Sequence, residues 1–85
     1  YAIARLPLFT SGWVPAPEDT ESGPAARCSF RTDICLAYPE AEACSGTGMG
    51  YCAFRFTKDG AVLWITTVGE PVTDLTVYDW RLERP

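Results

Sequence analysis

Cys28, Cys35, Cys44 and Cys52 sit in the middle of an 85-residue chain, and they decide how so short a sequence can hold a fold. A domain of this size buries only about 60% of the surface its unfolded chain exposes, so its core alone gives marginal stability. Each native bridge in a small secreted domain contributes about 2–5 kcal/mol, comparable to the net stability of the whole fold. The four cysteines are separated by six, eight and seven residues. A structural zinc site favours tight C-x2-C pairs converging on one ion, and the chain has no histidine to complete one. Two disulfides are therefore expected and no metal or other cofactor. Of the three connectivities, Cys28–Cys35 with Cys44–Cys52 closes the shortest loops at the least entropic cost. Disulfides persist where the compartment is oxidising, which points to a periplasmic or secreted protein.

Size and charge narrow the function classes. Residues 1–85 make one domain, and no apolar run approaches the ~20 residues of a membrane span. The chain opens on Tyr1, as expected if a signal peptide has been removed or the chain trimmed from a longer one. Eleven acidic residues against seven basic ones give a net charge of −4, and Lys58 is the single lysine. Nucleic-acid binding needs a basic stripe, which this composition does not supply. An anionic membrane surface is disfavoured for the same reason.

The N-terminal half reads as short helical segments and loops. Ile3, Leu6 and Phe9 recur at helical spacing, with Pro7 expected to kink or end that helix. Trp13-Val14 begin an extended stretch, and residues 15–27, with Pro15, Pro17, Gly23 and Pro24, read as a loop. Thr32 or Asp33 can cap a short helix over Ile34, Cys35, Leu36, Ala37 and Tyr38. Pro39 stops it and opens a second helical turn through Glu40, Ala41, Glu42 and Ala43. Residues 45–50 (SGTGMG) are a flexible connector.

The last third carries strands. In CAFRFT (52–57), Cys52, Phe54 and Phe56 alternate with Ala53, Arg55 and Thr57. Asp59-Gly60 follows, a strong signal for a type I′ hairpin turn. Counting outward from that turn sets Phe56 opposite Leu63, Phe54 opposite Ile65 and Arg55 opposite Trp64, so two alternations agree on one buried face. LTVYDWRL (75–82) reads as a third strand that buries Thr76, Tyr78, Trp80 and Leu82 and turns Leu75, Val77, Asp79 and Arg81 outward. The fold class is α+β: N-terminal helical segments packed on a three-stranded antiparallel meander, braced by two disulfides.

Catalytic readings find little to stand on. Without histidine, and with the cysteines assigned to bridges, no nucleophile has an activating base. Glu40 and Glu42, two apart on a helical turn, would diverge into solvent rather than form a carboxylate pair. GTGMG (46–50) lacks the Lys and Ser/Thr of a phosphate loop and precedes a strand. Arg55 and Trp64, paired on the outer face, make the stronger candidate contact patch, because Trp and Arg are common binding anchors. Glu70, in the loop TVGEP (67–71), is the third candidate for reading a partner.

Tyr1, Ala4-Arg5, Gly12-Trp13, Pro15, Tyr38-Pro39-Glu40, Cys44, Gly46-Thr47-Gly48, Cys52-Ala53-Phe54 and Thr66-Thr67-Val68-Gly69-Glu70 form a pattern across most of the chain. It resembles a group of small, largely uncharacterised bacterial exported domains, with Pro7 and Phe9 departing from an ordinary helical face. The resemblance implies a bacterial periplasmic or exported setting and no particular activity. The expectation is a non-catalytic extracytoplasmic domain that binds another protein, similar to periplasmic inhibitors and immunity proteins. The alternative is an accessory or structural domain of a larger cell-envelope protein.

Overall fold

The computed structural model describes residues 1–18, 28, 31–44, 50–69 and 75–84. Its elements are α1 (Ala2–Thr10), β1 (Val14–Pro15), α2 (Thr32–Ala37), β2 (Ala41–Cys44), β3 (Cys52–Lys58), β4 (Ala61–Val68) and β5 (Thr76–Glu83). The α+β class holds, but the sheet has five antiparallel strands rather than three. The hairpin is the one expected from the alternation. Phe54 faces Ile65, Arg55 faces Trp64 and Phe56 faces Leu63. Asp59 and Gly60 both adopt positive φ, at 50° and 84°, as a type I′ turn requires.

The two additional strands lie end to end along the far edge of β3. β1 pairs Val14 with Thr57 and Pro15 with Phe56, while β2 pairs Ala41 with Phe54 and Cys44 with Cys52. They meet at Arg55, whose N–H donates to the Glu40 carbonyl at 2.9 Å and whose carbonyl accepts from Ala16 N–H at 3.0 Å. Of the helical turn expected over residues 40–43, Glu40 lies in a turn and residues 41–43 are strand. Alternating Ala and Glu can follow either period, and unsatisfied groups along the β3 edge favour pairing.

The helix α1 continues to Thr10 with Pro7 inside it, instead of ending there. Proline, sixth of the nine helical residues, removes the N–H bond that would reach the Ile3 carbonyl, and packing of Tyr1 and Leu8 against the core offsets that loss. The core gathers Ile34, Tyr38, Ala41, Phe54, Phe56, Leu63, Ile65 and Leu75 between the sheet and the helices. The bridges are Cys28–Cys35 and Cys44–Cys52, the short-loop pairing, and they sit side by side with Cys44 Sγ 3.9 Å from Cys28 Sγ.

The third meander strand, β5, departs from its expected faces. Tyr78 and Trp80, expected in the core, are 63% and 65% exposed, and Leu75, expected outside, is buried. Between Thr66 and Thr67 the β4–β5 register shifts: Thr67 faces Val77 whereas Thr66 faces Asp79, leaving Tyr78 as an extra residue. Such a bulge reverses the alternation on either side of it. Every residue from Thr76 to Arg81 is exposed, so the helical layer does not reach across this strand.

One glycine is dictated by close approach. Gly50 has φ of 70°, and a Cβ there would stand 2.8 Å from the Gly69 carbonyl oxygen. Arg31 Nη1 donates to both carbonyls, at 3.3 Å to Gly50 and 2.6 Å to Gly69, which fastens the entry to β3 against the exit from β4.

Candidate functional site

Two polar clusters lie on opposite faces of the sheet. The inner one centres on Glu40, whose side chain is 0% exposed. The turn at Pro39 that ends α2 and leads into β2 places it beneath α1. Tyr1 and Arg5, one helical turn apart, reach it together. Arg5 grips the carboxylate in a fork, Nε to Oε2 at 2.6 Å and Nη2 to Oε1 at 2.8 Å, and the Tyr1 hydroxyl donates to Oε2 at 2.6 Å. The guanidinium also lies 4.7 Å from the Phe9 ring centre and 4.8 Å from that of Tyr38. Tyr1 stacks on Phe54 at 4.2 Å, and its backbone nitrogen donates to the Leu75 carbonyl at 2.6 Å. Glu40, expected in solvent beside Glu42, is instead the anchor of the N-terminal helix.

Burial, followed by its hydrogen bond to Glu40, holds the Tyr1 phenol far above the ordinary tyrosine range. The Arg5 guanidinium is also held above its usual value, chiefly by its bond to Glu40. A group whose folded pKa is raised supports the fold fully below its unfolded pKa, about 10 for tyrosine. That support is lost as pH climbs from there toward the folded value, because the unfolded chain gives up the proton first. Wild-type stability should therefore fall above pH ~10, with Tyr1 adding up to about 1.4 kcal/mol per pH unit to the slope. Urea titrations at pH 8 to 11.5 on wild type and Tyr1→Phe check this. A slope unchanged by the substitution would place the alkaline sensitivity elsewhere.

The outer cluster is a row across three strands. Arg55 on β3 and Arg81 on β5 both face Trp64 on β4, their guanidinium carbons 5.7 and 6.0 Å from its ring centre. Arg55 and Trp64, paired by the sequence reading, are thus brought together. Arg55 is also fixed from the side, donating Nη1 to the Ala16 carbonyl at 2.6 Å with Nε 3.6 Å from Glu18 Oε1. Glu70 lies outside the described residues. The sequence reading left out Arg81, whose signal was its position opposite Trp64 in a meander, hidden until the bulge at Tyr78 is known. A shallow depression of about 150 Å³ opens beside the row, lined by Trp64, Thr66, Asp79, Trp80 and Arg81. That is well below the roughly 300–1,000 Å³ of ordinary small-molecule sites. Among the described residues no group of three or more His, Cys, Asp or Glu is arranged to hold a metal ion, and no helix is long and apolar enough to cross a membrane.

Comparison of the chain with protein-family models, with curated proteins and with solved structures found no match.

Proposed function

We propose that the chain is a non-catalytic extracytoplasmic domain that binds another protein through the outer face of its sheet, in the manner of an enzyme inhibitor or immunity protein. The Arg55–Trp64–Arg81 row carries this reading. An indole held between two guanidinium groups on three paired strands is rigid before any partner arrives, and pre-organised aromatic and arginine anchors are what concentrate binding energy. Arg55 is already fastened to Ala16, so little freedom remains to be lost on docking.

The cysteines and the buried carboxylate are committed to the fold. All four cysteines are bridged, and the buried carboxylate of Glu40 is taken up by Arg5 and Tyr1. Two disulfides support the extracytoplasmic setting.

The test uses immobilised domain to capture a partner from cell-envelope extract, followed by titration of the purified partner against wild type and Trp64→Ala. The variant should keep its melting temperature and lose about 30-fold or more in affinity, the size of a hot-spot effect. Retention of both melting temperature and affinity removes this face as the binding surface. Early melting with a parallel loss of binding would give Trp64 a purely structural role.

A further inference from the structure

β5 is bonded on one side only. β3 is flanked by β4 on one side and by β1 and β2 on the other, and β4 lies between β3 and β5. Among the described residues, β5 pairs with β4 alone, which leaves its outer N–H and C=O groups facing outward. Natural proteins blunt such edges with proline, charged side chains (lysine above all), β-bulges or very short strands. Here the charges alternate in sign, so that they can pair with a second copy rather than repel it. β5 runs eight residues with neither proline nor lysine, and it exposes Val77, Tyr78 and Trp80. Only the bulge at Tyr78 interrupts it.

We propose that β5 pairs antiparallel with β5 of a second copy of this chain, about a two-fold axis through Trp80, joining two sheets into one. The sequence of the strand selects both the occupant and the register. In a two-fold antiparallel pair, facing residues must share a side of the sheet, so the axis passes through a residue. Centred on Trp80, Asp79 of each copy faces Arg81 of the other and Tyr78 faces Leu82, and the bulge at Tyr78 ends the regular pairing there, because Val77 lies on the inner side and Glu83 on the outer. Two opposite-charge pairs form and no like charges meet. Centred on Asp79, the two Asp79 carboxylates oppose each other. Centred on Arg81, the two guanidinium groups do, and Asp79 meets Glu83. Centred on Leu82, the overlap shrinks to the last few residues. Like charges directly opposite destabilise a strand pair and opposite charges stabilise it, so the Trp80 register is the longest one free of repulsion.

Side-chain placement supports the same arrangement. Trp80 faces Ile65 across the sheet, yet it is 65% exposed because the helices end short of β5. In the paired form the two Trp80 side chains meet on the axis and cover each other. Asp79 and Arg81 are on the outer face and exposed, and Arg81, 3.3 Å from Glu83 Oε1 on its own strand, exchanges that exposed ion pair for Asp79 of the second copy. This pairing does not rest on the partner-binding reading above: the two share Arg81, but Asp79, Trp80 and the β5 edge lie outside the Arg55–Trp64–Arg81 row, and Asp79→Arg leaves that row intact.

Sedimentation equilibrium from micromolar to millimolar concentration is the first measurement, and wild type is expected to dimerise. Asp79→Arg places arginine opposite Arg81 of the second copy, and Arg81→Asp places aspartate opposite Asp79. Each variant alone should dimerise roughly 100-fold more weakly, the scale of like-charge juxtaposition at an interface. Mixed in equal amounts, the two variants restore both opposite-charge pairs and should form a heterodimer of wild-type strength. Hydrogen exchange on wild type needs no substitution: β5 amides should slow as concentration rises. A wild type that stays monomeric to millimolar concentration overturns the proposal, and so does a dimer indifferent to both reversals or variants that fail to associate on mixing. None of these results depends on Trp64→Ala or on a captured partner, so either reading can fail without the other.

Discussion

Arg5→Met is expected to cost about 3–5 kcal/mol, because it leaves the Glu40 carboxylate in the interior with its cation removed. The side chain of Glu40 is 0% exposed, and after the substitution its remaining side-chain donor is the Tyr1 hydroxyl. Methionine keeps much of the hydrocarbon stem against Phe9 and Tyr38, so the loss reports the charge more than the packing. On a domain of this size the melting temperature should drop by about 15–30 °C. Arg5→Met/Glu40→Met separates a charge effect from a volume effect. Replacing both members of a buried ion pair by apolar residues is often neutral or stabilising, so the double variant should recover much of the loss in urea unfolding. A double variant as unstable as the sum of the two singles would show that the residues act independently. The consequence is spatial as well as energetic. Helix α1 has no fully buried residue, and its hold on the domain depends on Tyr1, Arg5, Leu8 and Phe9.

Which parts of this were legible follows from how far apart the determining residues lie. The β3–β4 hairpin is a local object. Asp59-Gly60 fixes the turn, and the alternations of Phe54 and Phe56 with Leu63 and Ile65 fix the face, so its register could be counted from the residues alone. The same counting put Arg55 opposite Trp64. β2 is not legible locally because Glu-Ala-Glu-Ala after a proline is too short to carry a decisive period, and the β3 edge that recruits it is fixed by the second bridge, which joins Cys44 to Cys52. The burial of Glu40 depends on Tyr1 and Arg5, 39 and 35 residues away. A polar residue in an acidic stretch looks solvated until those partners are known. Tyr1 and Arg5 share a helical face, a hint that they meet a common acceptor, but nothing local says which carboxylate. β5 failed for a different reason. Counting by twos assumes an unbroken ladder, and one extra residue at Tyr78 moves Leu75 and Val77 to the side assigned to Thr76 and Tyr78.

Reduction of the bridges should have the largest effect of all, because it acts on the core and on the sheet together. Cys28 and Cys35 are buried with Ile34 at the junction of α2 with the core, and Cys44–Cys52 ties β2 to the start of β3. Two bridges at about 2–5 kcal/mol each are comparable to the net stability of an 85-residue domain, roughly 4–13 kcal/mol at 0.05–0.15 kcal/mol per residue. A thiol reductant at neutral pH should therefore unfold most of the population at 37 °C, seen as loss of near-ultraviolet circular dichroism from the buried aromatic side chains. Excess EDTA under the same conditions should leave the melting curve where it was, since cysteines joined in bridges are not metal ligands. A fold held by metal would respond in the opposite way, collapsing with chelator. Reduction and trapping of single bridges should show an order. Cys44 is half-buried whereas Cys28, Cys35 and Cys52 are fully buried, so a thiolate reaches the Cys44–Cys52 bridge first. The one-bridge intermediate should then retain Cys28–Cys35 and the β3–β4 hairpin while β2 loosens from β3, and a trapped intermediate that instead retains Cys44–Cys52 would contradict that order.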